Sequence, residues 1–196
     1  MFEHFTTPEE IFSYKLGSAL TMEYDSLEML GELETTAQRS ELKTLFQEHA
    51  AETRQQIENL KKCFELLGED VNDSPSPTTK GLAKEGKSSI AKTDDSLLDA
   101  VVLAGALETE HYETAVYETL ITHADARGAS EVVALLRANL DQEQAAIDKI
   151  KKAATSIAHA GVAVEETDSP DAATGFDGLG GIAPAGVPPF LPPSSI

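Results

Sequence analysis

Four stretches of this chain carry apolar residues at intervals of three and four, and each apolar face is interrupted near its middle by a glutamate. The first face reads Leu16, Leu20, Glu23, Leu27, Leu30. The second reads Leu42, Leu45, His49, Glu52, Gln56, continuing to Leu60 and Cys63. The third reads Leu103, Ala106, Glu110, Glu113, Tyr117, Leu120, and the fourth Val132, Leu136, Leu140, Glu143, Ile147, Ile150. Sustained alternation of apolar and polar residues, the mark of a half-buried strand, is absent. The chain is therefore expected to be all-α.

Local signals bound the helices. The first is expected from Pro8 to Thr36, with Thr7 as N-cap and Pro8 and Glu9 in the first turn. The second runs from Ser40 to Leu67 and stops at Gly68. The third starts near Asp94 and ends before Gly128, and the fourth runs from Ser130 to His159, before Gly161. The first and second helices, and the third and fourth, are joined by short links, so each pair should form an antiparallel hairpin. Residues 69–93 form a long crossover, with Ser74-Pro75-Ser76-Pro77 and a short helix around Lys80 to Ile90. Two hairpins joined by one long crossover is the topology of a ferritin-like four-helix bundle.

The domain reading is a bundle over residues 1–160 and a disordered tail over 161–196, rich in Gly, Pro and Ala. The tail is nonetheless apolar around Phe176 to Ile182 and Pro188 to Pro193. It reads as a floppy terminus or as a docking peptide that orders on a partner.

With 34 acidic against 15 basic residues, the net charge of −19 argues against nucleic-acid binding through a basic face. No apolar run approaches the ~20 residues of a membrane span. The start of the chain has no apolar signal core, and a single cysteine, Cys63, cannot form an internal disulfide. A reducing cytoplasm is the expected location.

Antiparallel packing brings the midpoints of four helices to one level. Glu23, Glu52, Glu110, Glu113 and Glu143 should then converge in one apolar shaft, with His49 one turn from Glu52. Five like charges at short range cannot all stay ionised unaided. Two divalent ions would neutralise most of that charge, and iron or manganese suits carboxylate with some imidazole. His49 either ligates or caps the site by a hydrogen bond to Glu52. Gln56 is expected to act behind the ligands, as a hydrogen-bond donor. Glu108 and His111 also form a Glu-x-x-His pair, but Glu108 falls off the apolar face, which favours Glu110 and Glu113. Tyr117 and Tyr24 read as core packing, or as redox or hydrogen-bonding neighbours of the site. His123 and His159 near helix ends, and the lysines at 61, 62, 149, 151 and 152, read as surface residues.

His49-Ala50-Ala51-Glu52-Thr53-Arg54-Gln55-Gln56-Ile57, Glu110-His111-Tyr112-Glu113 with Tyr117, and Gln142-Glu143 resemble the YciE/YciF family of ferritin-like proteins. The resemblance spans about Ile11 to Ala154. It implies a fold similar to rubrerythrin and manganese catalase, a homodimer, a role in stress responses and a di-metal site. The ligand set it implies is Glu23, Glu52 with His49 and Gln56, Glu110 with Glu113, and Glu143. Gln55 and Ala146 stand where the wider di-iron pattern has histidines. The resemblance thus implies fewer protein ligands, and a labile or manganese-filled site. Three functions are open on this reading: peroxide disproportionation or metal oxidation, metal binding without turnover, and a scaffold whose tail docks to a partner such as a nanocompartment shell.

Overall fold

The computed structural model describes residues 4–167, with side chains described for 4–160. Five α-helices follow in order: α1 (Pro8–Thr36), α2 (Ser40–Leu67), α3 (Pro77–Ile90), α4 (Leu98–Ala126) and α5 (Ser130–Thr167). α1 packs on α2 and α4 on α5 as two hairpins, and α2 meets α5 and α1 meets α4 to close a ferritin-like four-helix bundle. α3 belongs to the crossover and lies against α1 and α4.

The ends of α1 and α2 follow from local chemistry. The Thr7 hydroxyl accepts from the Glu10 amide at 3.2 Å, and the Glu10 carboxylate accepts from the Thr7 amide at 3.2 Å. This reciprocal cap satisfies two donors left over at the helix start. Gly68 ends α2 at φ 71°, a left-handed conformation that a β-carbon disfavours. At the next hairpin Gly128 does the same at φ 70°.

Three boundaries differ from expectation. Asp94 opens a 3-10 turn over Asp95–Leu97 rather than α4 itself, which starts at Leu98. α3 begins at Pro77, a residue pre-set for a first helical turn. α5 continues through Gly161 to Thr167. A lone glycine inside a helix costs about 1 kcal/mol relative to alanine, which weakens the helix without stopping it. The disordered tail and its docking role were expected of residues 161–196. All of that stretch beyond Thr167 lies outside the described residues. No helix among the described residues is long and apolar enough to cross a membrane.

The crossover is fastened to α1. Ser13 donates to the Glu69 carboxylate at 2.6 Å, Ser18 donates to the Pro75 carbonyl at 3.0 Å, and Thr79 donates to Asp25 at 2.7 Å. Gly17 permits this approach: a β-carbon there would come within 1.6 Å of the Asn72 side-chain oxygen.

The core divides into two apolar clusters with a polar layer between them. One holds Phe12, Leu16, Leu20, Leu60, Phe64 and Leu136; the other holds Leu30, Leu42, Phe46, Val102, Leu103 and Ile150. Between these levels lie Glu23, His49, Gln56, Glu110, Glu113, Asn139 and Glu143, all buried. Two apolar plugs thus hold the bundle together and keep water from the layer they enclose.

Candidate metal centre

Each of α1, α2, α4 and α5 sends side chains into the polar layer. α4 supplies Glu110 and Glu113, one turn apart on the same face; α5 supplies Glu143; α2 supplies His49. Ligand atoms of these four residues all lie within 4.8 Å of one another. His49 Nε2 stands 3.1 Å from Glu110 Oε2 and 3.5 Å from Glu143 Oε2. It makes no aligned hydrogen bond to either. Both oxygens of Glu113, both of Glu143 and Oε2 of Glu110 are likewise without a hydrogen-bond partner.

The electrostatics of the layer are those of crowded acids in a dry space. Burial, and then the neighbouring carboxylates, push Glu113 and Glu143 well above the usual carboxylate range. Burial pushes Glu23 up to about 8, against the hydrogen bond from Tyr117, which lowers it. Burial pulls His49 down, but Glu110 and Glu52 together outweigh it and push the imidazole up to about 10. One cationic ring among several acids cannot neutralise them all. A buried polar group left unpaired costs roughly 1–3 kcal/mol. Unpaired oxygens converging with an imidazole are the donor set that a hard or borderline divalent cation takes. The residues present therefore fit a metal ion.

Glu23 and Glu52 stand outside the group of four. Glu23 is fully buried, and its Oε1 accepts a short hydrogen bond from the Tyr117 hydroxyl, leaving Oε2 unpaired. Glu52 is placed differently from its expected convergence with the other acids. Its side chain is 29% exposed, its Oε2 lies 3.1 Å from His49 Nδ1, and its Oε1 lies 3.5 Å from Lys149 Nζ. Glu52 therefore orients the ring from behind, while His49 directs Nε2 at the acids. This carboxylate–imidazole pairing fixes a ligand's tautomer in many metal sites.

Of the neighbours, Gln56 is fully buried with both side-chain polar atoms unpaired. Tyr117 is buried at the layer, as both readings of it required. Tyr24 is 46% exposed and belongs neither to the core nor to the site. Glu108, His111 and Gln55 are exposed, which leaves Glu110 and Glu113 as the inward pair of α4. The position three residues after Glu52 points outward, and the one three residues after Glu143, Ala146, points inward with only a methyl group. The imidazole of α2 comes instead from His49, one turn earlier.

Sequence reasoning missed Asn139, which is fully buried. Its amide donates to Tyr117 Oη at 2.9 Å and to the Gln56 carbonyl at 3.3 Å, and its oxygen accepts from Asn59 at 2.7 Å. Asn139 lies one turn before Glu143, and that spacing was the available signal. Leu140, which the apolar pattern preferred, is only half-buried.

The same architecture occurs in known proteins. Escherichia coli (strain K12) protein YciF is 29% identical over 141 residues, covering 71% of this chain and 85% of that protein. The crystal structure of the E. coli stress protein YciF matches with a TM-score of 0.76 at 27% identity, over 79% of this chain and 99% of that one. The structure of YcfI from Rhodopseudomonas palustris matches with a TM-score of 0.73 at 31% identity, over 77% of this chain and 98% of that one. A family model described as a domain of unknown function, DUF892, matches residues 7–163. Spanning nearly the whole bundle, that match, with the two likenesses to YciF, shows that the chain belongs to the DUF892 family of YciF-type helical proteins.

Proposed function

We propose that the polar layer is a di-metal centre for iron or manganese, and that it disproportionates peroxide. The observation that carries this reading is that His49, Glu110, Glu113 and Glu143 are buried, keep ligand atoms without a hydrogen-bond partner, and each bring one ligand atom within 4.8 Å of the others. Evolution of a bundle core otherwise removes such groups, because apolar side chains there are more stable.

Disproportionation converts two molecules of hydrogen peroxide into two of water and one of dioxygen, and consumes no other reagent. The bound metals supply the storage of electrons between the two halves of that reaction. The protein's own residues do the rest. His49, Glu110, Glu113 and Glu143 hold the ions, and Glu52 keeps the His49 ring aimed. Glu23, buried in the same layer with Oε2 unpaired, is the further carboxylate offered to the ions, as the family resemblance implies. Tyr117 and Asn139 hold the other Glu23 oxygen in position. The two apolar clusters exclude bulk water.

The test is metal content and oxygen evolution together. Protein purified without chelator should carry iron or manganese near two per chain and release dioxygen from peroxide. Ala146 favours a second reading, metal held without turnover, because its methyl group leaves one inward position without a ligand atom. Full metal content with no dioxygen would select that reading. The proposal also includes a cytoplasmic homodimer, checked by sedimentation, and a tail that docks to a partner, checked by deleting residues 162–196.

A further inference from the structure

The four clustered side chains are almost completely shielded from water, so any reactant from solution needs a way in. We propose that a cleft between α1, α3 and α4 is the passage by which small uncharged molecules, no larger than peroxide or dioxygen, reach the cluster. This rests on the reading of the cluster as a metal centre.

The cleft has the right end points. Its inner end is Glu110, a member of the cluster, beside the buried Ser26. Its outer rim carries Glu32 and Lys87, which pair at 2.8 Å. Between these ends the walls are Leu30, Leu82, Ile90 and Ala106. An ion crossing such a wall loses its hydration without a replacement partner, whereas an uncharged molecule does not. The cavity volume of the cleft is about 40 Å³, room for a few water-sized molecules.

Two glycines keep that space clear. Gly105 of α4 and Gly86 of α3 both line the cleft, and a β-carbon at either would meet no atom within 4 Å. Glycine is a poor helix residue, and alanine would fit both backbones. A larger side chain at either position would extend into the cleft rather than collide with a neighbour. Gly31 of α1 offers a control. It is equally open and lines a broader depression outside the cleft's rim, not the cleft's inner walls.

The experiment uses xenon and nitric oxide as probes on the full chain, with Gly105→Leu and Gly86→Leu as independent plugs and Gly31→Leu as control. Crystals of metal-free protein under xenon pressure should show xenon beside Gly105 and Ala106, and none in the plugged variants. Protein loaded anaerobically with Fe(II) should bind nitric oxide more slowly by about tenfold or more in either plug. Metal content should be unchanged in all variants, and Gly31→Leu should match the original protein. Absence of xenon from the cleft, failure of metal-replete protein to bind nitric oxide, or full-speed binding in both folded, metal-replete plugs overturns the passage and leaves the metal reading standing. Refusal of metal by the unaltered protein defeats the metal reading itself, and the passage loses its destination.

Discussion

Replacing Glu113 with leucine should make the metal-free protein more stable and the metal-supplied protein less so. In the absence of metal, Glu113 is fully buried with both oxygens unpaired, and the acids Glu23 and Glu110 oppose its ionisation further. Removing an unsatisfied buried group recovers about 1–3 kcal/mol, and relief of the neighbouring acids adds to this. Imperfect packing of leucine offsets it by about 1 kcal/mol. The net gain is then about 2 kcal/mol, which raises the Tm by roughly 4–8 °C in a chain of this size. With a divalent ion at about a hundred times its Kd, the unaltered protein gains about 2.7 kcal/mol and the variant gains little. The order of melting temperatures should therefore reverse between chelator and saturating Mn(II), as read by circular dichroism. A variant that melts below the unaltered protein in chelator, or that shows the same rise with metal, would refute the reasoning.

The metal-free protein should lose stability as pH rises. Glu23, raised to about 8 from 4.5, binds its proton more tightly folded than unfolded, so its ionisation opposes folding progressively between those values; His49, raised to about 10 from 6.5, contributes stability below 6.5 that is lost by about pH 10. Metal ligation requires deprotonated ligands, so the melting gap between metal-supplied and chelated protein should widen from about pH 5.5 to about pH 8. Glu52→Leu should weaken metal binding by about 10–100-fold in competition titrations while the helical content is retained, because it frees the His49 ring without removing a clustered ligand atom. Gly17→Ala should destabilise the fold by about 1–3 kcal/mol in urea melts, by driving Asn72 and the crossover off α1.

Helix existence and most helix ends were legible in the sequence because they rest on local chemistry. Thr7 with Glu10, Pro8, Gly68 and Gly128 each act through their own backbone or the next turn. The start of α4 was not, because Asp94 serves a 3-10 turn equally well. Neither was the end of α5, because a glycine stops a helix only when its backbone leaves helical angles.

The site was legible to the level of the face and no further. Helical rotation of about 100° per residue puts Glu52 about 50° from the His49–Gln56 line, on the side away from Thr53 and Phe46. That turns Glu52 to the edge of the buried face, where Lys149 of another helix meets it. The His49–Glu52 spacing within α2 allows the pairing that turns Nδ1 outward, but only packing against α4 and α5 brings Glu110 and Glu143 to Nε2. Asn139 shows the same limit. Asn139 and Leu140 lie at equal angles, about 50°, on opposite sides of the line through Leu136 and Glu143, so angle alone does not choose between them. Leucine is the residue type that fits an apolar face, and only the contact with Tyr117 of another helix turns the Asn139 amide inward.

If the polar layer exists to hold metal, the chain must take up and keep the ions on its own. Equilibrium dialysis of chelator-stripped protein against Fe(II), under anaerobic conditions, or against Mn(II), followed by elemental analysis, tests it most directly. Either ion should be retained near two per chain, and retention should be lost in Glu113→Leu. Protein that emerges folded and free of both ions would contradict it.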